Sequence, residues 1–245
     1  MEKIGTFVLN WPIIYTNIKL IMRIPEAVIF DMDGVLVDSE PIHYEIENIL
    51  FRKLGINVSD FLHRTYLGTS SDFMYSDIKM KFNLPDSLID IVLLGESFSC
   101  EYFSNLKEIP LNEGVIKLLK EIKKSGCKLA VATSSSPAIA NILLNKCKIF
   151  SYFDAIVTTN EAGKSKPAPD VYLLAAQKIG ITPSGCIVFE DSPNGLKAAK
   201  EAGMYCVAIQ SNSEFIKELA DADFLIRSFR EITFADLIEK FSISS

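Results

Sequence analysis

Two aspartates, Asp31 and Asp33, close the short apolar run Ala27-Val-Ile-Phe and are followed at once by Gly34. A second acidic pair, Glu190 and Asp191, closes Ile187-Val-Phe. Thr133 ends the run Lys128-Leu-Ala-Val-Ala, and Lys166 follows a fourth, Phe153-Asp-Ala-Ile-Val-Thr158. Short, partly β-branched apolar runs of this kind read as buried strands. In a parallel α/β sheet, ligands bind where the strands' carboxyl ends meet. Four carboxylates gathered at one edge repel and raise one another's pKa unless a cation neutralises them. Oxygen ligands from aspartate, together with a bound phosphate, suit Mg²⁺. One acid near a strand end is an ordinary turn or cap residue. The combination is what points to a site.

The elements that must position these residues alternate along the chain. Tyr205-Cys-Val-Ala-Ile209 and Phe224-Leu-Ile226 are weaker strand candidates. Residues 115–124, 170–179 and 195–202 carry helical apolar spacing and stop at Gly126, Gly180 and Gly203, as helices often do. Such alternation predicts an α/β fold, a Rossmann-like parallel sheet with helices on both faces. One stretch breaks it: Thr133 follows Asp33 by 100 positions, far more than one crossover helix requires. Within it, residues 41–54, 71–82 and 86–105 look helical. Residues 41–106 are therefore expected to be an inserted helical cap, with 22–40 and 107–245 forming the core.

Composition narrows the function classes. Hydrophobic residues make up 49% and charged residues 23%, ordinary for a soluble globular chain. The net charge of −6, with no basic run, excludes a broad nucleic-acid surface. Five scattered cysteines, with no C-x-x-C pair, read as buried free thiols in a reducing cytosol, so a cytoplasmic location is expected. Only two histidines, His43 and His63, make a histidine-rich zinc site implausible. Residues 1–21 are largely apolar but interrupted by Asn10, Pro12, Asn17 and Lys19, which argues against both a signal peptide and a membrane span. Translation is expected to start at Met22. Gly163-Lys164-Ser165 looks like the end of a phosphate-binding loop, but Thr158 stands where its first glycine is needed.

Asp31-Met-Asp33-Gly34-Val-Leu-Val-Asp38-Ser39-Glu40-Pro41, Thr133, Lys166-Pro-Ala-Pro-Asp170 and Glu190-Asp191-Ser-Pro-Asn-Gly195 resemble, in order, the four motifs of the haloacid dehalogenase-like superfamily, in its subgroup with a helical cap. The resemblance implies an aspartyl-phosphate on Asp31, with Asp33 protonating the leaving oxygen and then activating water. It implies that Thr133 binds the phosphoryl group, with Ser134 and Gly34 at the substrate, and that Lys166 offsets developing charge. Mg²⁺ would be held by Asp31, the Asp33 carbonyl and Asp191, with Glu190 acting through metal-bound water. The acid at position 33 marks the phosphatases and phosphomutases rather than the dehalogenase or phosphonate-cleaving branches, and leaves Lys53 as a solvated helix lysine.

Among β-phosphoglucomutase-like proteins, the mutase pattern needs three cations that this chain replaces with Leu67, Ser71 and Ser136. A phosphatase acting on a small sugar or polyol phosphate is therefore favoured over a mutase. His43, Gly68, Thr69, Ser70 and Ser71 would read the substrate through uncharged hydrogen bonds, with Arg64 the remaining cap cation. A phospho-accepting signalling domain would share the acids but needs neither a cap nor Asp33.

Overall fold

A computed structural model describes residues 24–66, 71–210 and 216–243. The expected start at Met22, and Leu67, Gly68, Thr69 and Ser70, lie outside the described residues. Six parallel strands form one sheet: β1 Ala27–Phe30, β2 Lys128–Thr133, β3 Ala155–Thr158, β4 Cys186–Glu190, β5 Tyr205–Ile209 and β6 Phe224–Ile226, in the spatial order β3-β2-β1-β4-β5-β6. This is the doubly wound order, in which the chain reverses direction across the sheet beside its first strand. β1 pairs in register with β2 on one side (Phe30 with Val131) and β4 on the other (Phe30 with Phe189). The residues after β1 and β4 therefore emerge side by side at the switch point.

Side-chain alternation divides the sheet into a bulky face and a small one. Phe30, Leu129, Val131, Ile187, Phe189 and Val207 face one layer. Ala130, Ala132, Cys186, Val188, Cys206 and Ala208 face the other. The bulky face is covered by helices α5 Val115–Ser125, α6 Pro137–Lys146 and α10 Phe234–Ile243, counted with those below. The small face lets α8 Asp170–Ile179 and α9 Pro193–Glu201 lie close, through Tyr172, Ala175, Ala176, Ala198 and Ala199.

Between β1 and α5 run four helices: α1 Glu40–Lys53, α2 Asp60–Arg64, α3 Ser71–Phe82 and α4 Leu88–Asn105. They enclose a separate apolar cluster of Leu50, Phe51, Val58, Tyr66, Met74, Tyr75, Ile78, Leu84 and Ile91. The short helix α7 Thr159–Ala162 follows β3.

Several boundaries differ from the sequence reading. Residues 86 and 87 stay outside α4 because the Ser87 hydroxyl caps it, accepting from the Asp90 N–H. β3 starts at Ala155, after a 3₁₀ turn at Phe150–Tyr152. α2, α6, α7 and α10 are additional. Of the five free cysteines only Cys186 and Cys206 are buried, the other three being half-buried because they flank the sheet or lie on helices. Lys53 is exposed but not simply solvated: its Nζ lies 4.2 Å from the centre of the Phe98 ring. Among the described residues, no helix is long and apolar enough to cross a membrane.

Candidate active site

β1 delivers Asp31 to the carboxyl edge of the sheet, buried, and a turn closes behind it: Gly34 N–H donates to the Val37 carbonyl and Val37 N–H to the Met32 carbonyl. Gly34 has φ +75°, and a Cβ there would stand 1.8 Å from Asp191 Oδ2. Glycine is thus required twice over, by backbone conformation and by the carboxylate pressed against it. Gly195 is constrained by space, since a Cβ would fall 1.7 Å from Glu190 Oε1.

Lys166 spans the site. Its Nζ donates to Asp31 Oδ1 at 2.5 Å and Glu190 Oε1 at 2.6 Å, and reaches the Ala132 carbonyl at 3.3 Å. Burial works to discharge this lysine, but the two carboxylates outweigh it and raise its pKa. Glu190 is wholly enclosed. Its Oε1 also accepts from the Tyr172 hydroxyl at 2.5 Å, and its Oε2 accepts from the N–H groups of Asp191 and Ser192 and from the Ser192 hydroxyl. Burial alone would raise its pKa, but Lys166 and these donors hold it below the ordinary value. Asp31 comes out the other way. Burial pushes its carboxyl up to about 7 against the pull of Lys166, with Glu190 and Asp33 adding to the rise. Burial, then Glu190 and Asp31, raise Asp191 well above the ordinary range.

Asp33 occupies a different environment two residues on. Oδ1 accepts from the Ser39 hydroxyl at 2.6 Å and lies 3.0 Å from His43 Nε2, while Oδ2 accepts from the Ser135 hydroxyl at 2.7 Å. Burial opposes ionisation, yet His43 and the two hydroxyls bring the pKa down to about 2. Reciprocally, burial lowers the His43 pKa but its bond to Asp33 more than restores it, leaving it raised. Two carboxyls of one loop are thereby driven apart in acidity, Asp31 toward its neutral form and Asp33 toward its ionised form.

Oxygens of Asp31, Glu190 and Asp191 come within 4.8 Å of one another, a hard-ligand set of the kind that holds a divalent cation. The donor set fits such an ion: Asp31 and Asp191 bear raised pKa values that a bound cation would reverse.

Asp31, Asp33, Lys166, Glu190 and Asp191, with Gly34, lie together at one edge, and Thr133 Oγ1 lies 3.5 Å from Asp33 Oδ2. Ser134 is exposed, and it is its neighbour Ser135 that binds Asp33. Ser136 caps α6 by accepting from the Ile139 N–H. Ser71 is exposed at the start of α3. Lys164 of the partial phosphate-loop pattern is exposed. Ser39, Ser135, Tyr172 and Ser192 also take part in the site; Ser39 and Ser192 lie inside the motifs, and Ser135 and Tyr172 stand out from the sequence only as their neighbours.

A family profile described as haloacid dehalogenase-like hydrolase matches residues 28–209. The chain is 34% identical over 179 residues to a phosphorylated carbohydrates phosphatase of Thermotoga maritima, covering 73% of this chain and 82% of that one. It is 32% identical over 188 residues to the fructose-1-phosphate phosphatase YqaB of Escherichia coli, covering 75% and 96%. Among solved structures, CbbY from Rhodobacter sphaeroides in complex with xylulose-(1,5)bisphosphate superposes with a TM-score of 0.75 at 30% identity, covering 84% and 96%. A β-phosphoglucomutase from Clostridium difficile gives 0.77 at 25% identity, covering 90% and 98%.

Proposed function

The chain belongs to the haloacid dehalogenase-like hydrolase family, and on that footing we propose that it is a Mg²⁺-dependent phosphatase that hydrolyses a small sugar or polyol monophosphate through an aspartyl-phosphate on Asp31. The observation that carries this reading is the contrast within one loop: Asp31 is paired with Lys166, and Asp33 is paired with His43, Ser39 and Ser135.

A carboxylate oxygen of Asp31 attacks phosphorus, and the bond from phosphorus to the leaving oxygen breaks. Lys166, held charged between two carboxylates, offsets charge on the phosphoryl oxygens, and the Thr133 hydroxyl binds one of them. The protonated Asp33 carboxyl gives its proton to the leaving oxygen. The negative charge of an arriving phosphate favours that protonated form, against the ionised state of the free site. Once ionised, Asp33 takes a proton from water as it attacks the acyl phosphate and frees Asp31. Asp31, the Asp33 carbonyl and Asp191 would hold Mg²⁺, with Glu190 fixing Lys166 and the following backbone. The ion supplies charge neutralisation for a phosphate approaching a cluster of acids.

Transfer to a second hydroxyl, as in a phosphomutase, needs cations for a second phosphate. Leu67, Ser71 and Ser136 supply none, and Ser136 is engaged in capping a helix. The phosphatases among the relatives support the same choice. The test is phosphate release across a panel of sugar phosphates, polyol phosphates and nucleotides, run beside a coupled assay for interconversion of β-glucose 1-phosphate and glucose 6-phosphate. Hydrolysis without a bisphosphate activator is expected. Isomerisation that outruns phosphate release would make the protein a mutase.

A further inference from the structure

α1 carries His43 and Glu47 one turn apart, and residues four apart share a helix face. His43 Nε2 stands 3.0 Å from Asp33, so this face looks onto the catalytic carboxylates, with Glu47 about 6 Å further out along the helix. The Glu47 carboxylate is near enough to His43 to contribute to its raised pKa, and its side chain keeps 22% of its surface exposed. It is therefore within electrostatic reach of His43, which contacts Asp33, and partly open to solvent.

Glu47 is also held in place. His63 Nε2 hydrogen-bonds to Glu47 Oε2 from a ring that is almost completely buried, stacked on Tyr44 at 4.3 Å and edge-on to Phe51 at 5.3 Å. The other ring nitrogen, Nδ1, is buried with no partner among the described residues. The hydrogen bonding of His63 is thus committed to Glu47, and its ring cannot turn without leaving both neighbours. A carboxylate offers about four acceptor positions. His63 uses one, so the others remain for a group that reaches its exposed surface.

We propose that Glu47 selects the distal end of the substrate: it accepts hydrogen bonds from the hydroxyls of a neutral sugar or polyol monophosphate and repels molecules with a second phosphate or a carboxylate there. This rests on the phosphatase reading of the site and adds the element that discriminates. A neutral acceptor would welcome a hydroxyl without rejecting an anion, whereas a fixed carboxylate does both. Glu40, two turns nearer the start of the same helix, adds charge of the same sign. A purely structural role for Glu47, as a partner for buried His63, would instead affect all substrates alike.

The experiment compares kcat/KM for fructose 1-phosphate and fructose 1,6-bisphosphate in the wild type and in Glu47→Gln, a change that keeps size and an acceptor for His63. The wild type should prefer the monophosphate, and the variant should lose about tenfold of that preference, mainly through a lower KM for the bisphosphate. An unchanged preference, or equal loss on both substrates, would overturn the assignment. Should the variant not fold, the wild-type preference is read while KCl rises from about 0.05 to about 0.5 M; charge repulsion predicts that it shrinks, and a constant preference refutes the proposal. Wild-type turnover of p-nitrophenyl phosphate, which has no distal hydroxyl, is measured alongside. Its absence would count against the phosphatase reading itself rather than against the selector.

Discussion

Asp31 should be a liability to the metal-free protein, and replacing it should make that protein more stable while ending its activity. In the folded chain its carboxyl titrates at about 7, against an ordinary value of 3.8. The pull of Lys166 is already included in that rise. An acid whose pKa is higher folded than unfolded gives up its proton first in the unfolded chain. Stability therefore falls as pH rises from about 4 to about 7, and stays low above that. A rise of about three units corresponds to at most about 4 kcal/mol, and sharing of charge with Glu190 and Asp191 will reduce it. Asp31→Asn removes the charge and keeps an oxygen for Lys166. Thermal unfolding in EDTA should show the variant ahead by at most about 1 kcal/mol at pH 4.5, where only about a quarter of the effect has developed. By pH 8 the variant should be ahead by several degrees, since about 1 kcal/mol shifts Tm by about 2–4 °C in a chain of this size. Mg²⁺ should then raise the wild-type Tm more than the variant's. A variant no more stable than the wild type at pH 8, or a gap that does not change between pH 4.5 and 8, would refute the reasoning. So would turnover by Asp31→Asn above about a tenth of the wild-type rate, because another group would then be the nucleophile.

Activity should vanish in EDTA and return with Mg²⁺; full activity in EDTA would remove the role given to Asp191. Asp33→Asn should lower kcat by about 10²–10⁴-fold with the fold intact, because the hydrogen bonds of Ser39 and Ser135 survive but the proton donor does not; a loss confined to KM would contradict a proton-transfer role. Tyr172→Phe removes one buried hydroxyl from Glu190 without changing the packing of the ring, and should weaken Mg²⁺ binding in calorimetry and lower kcat, each by about tenfold or more, as loss of a group supporting a metal site usually does; wild-type values for both would make that hydroxyl dispensable.

The sequence by itself determined the elements and the acids at their ends. Strand identity rested on runs such as Ala27-Val-Ile-Phe, which are apolar on both faces because helices cover both, and β5 and β6 match the expected runs residue for residue. α3 and α8 likewise have the expected bounds. α6 stands outside the sequence reading, and its exposed Ala138 and half-buried Ile142 widen the apolar face beyond the buried Ile139, Ala140, Leu143 and Leu144. Asp31 and Asp33 could be grouped from spacing alone because alternation turns residues two apart the same way.

Tertiary structure decided what each acid became. Asp31 and Asp33 are the same residue type in one loop, yet burial beside Glu190 raises one and the Ser39–His43–Ser135 set lowers the other. Those partners arrive from the start of α1 and from the loop after β2, and Lys166 from 135 positions beyond Asp31. Likewise Glu47 and His63, ordinary polar residues of two helices in sequence, become a fixed pair only where α1 and α2 pack. Local pattern encodes which face a residue takes. A pKa depends on which charges and donors lie within a few ångströms, and that is set by strand order and helix packing between segments far apart in the chain.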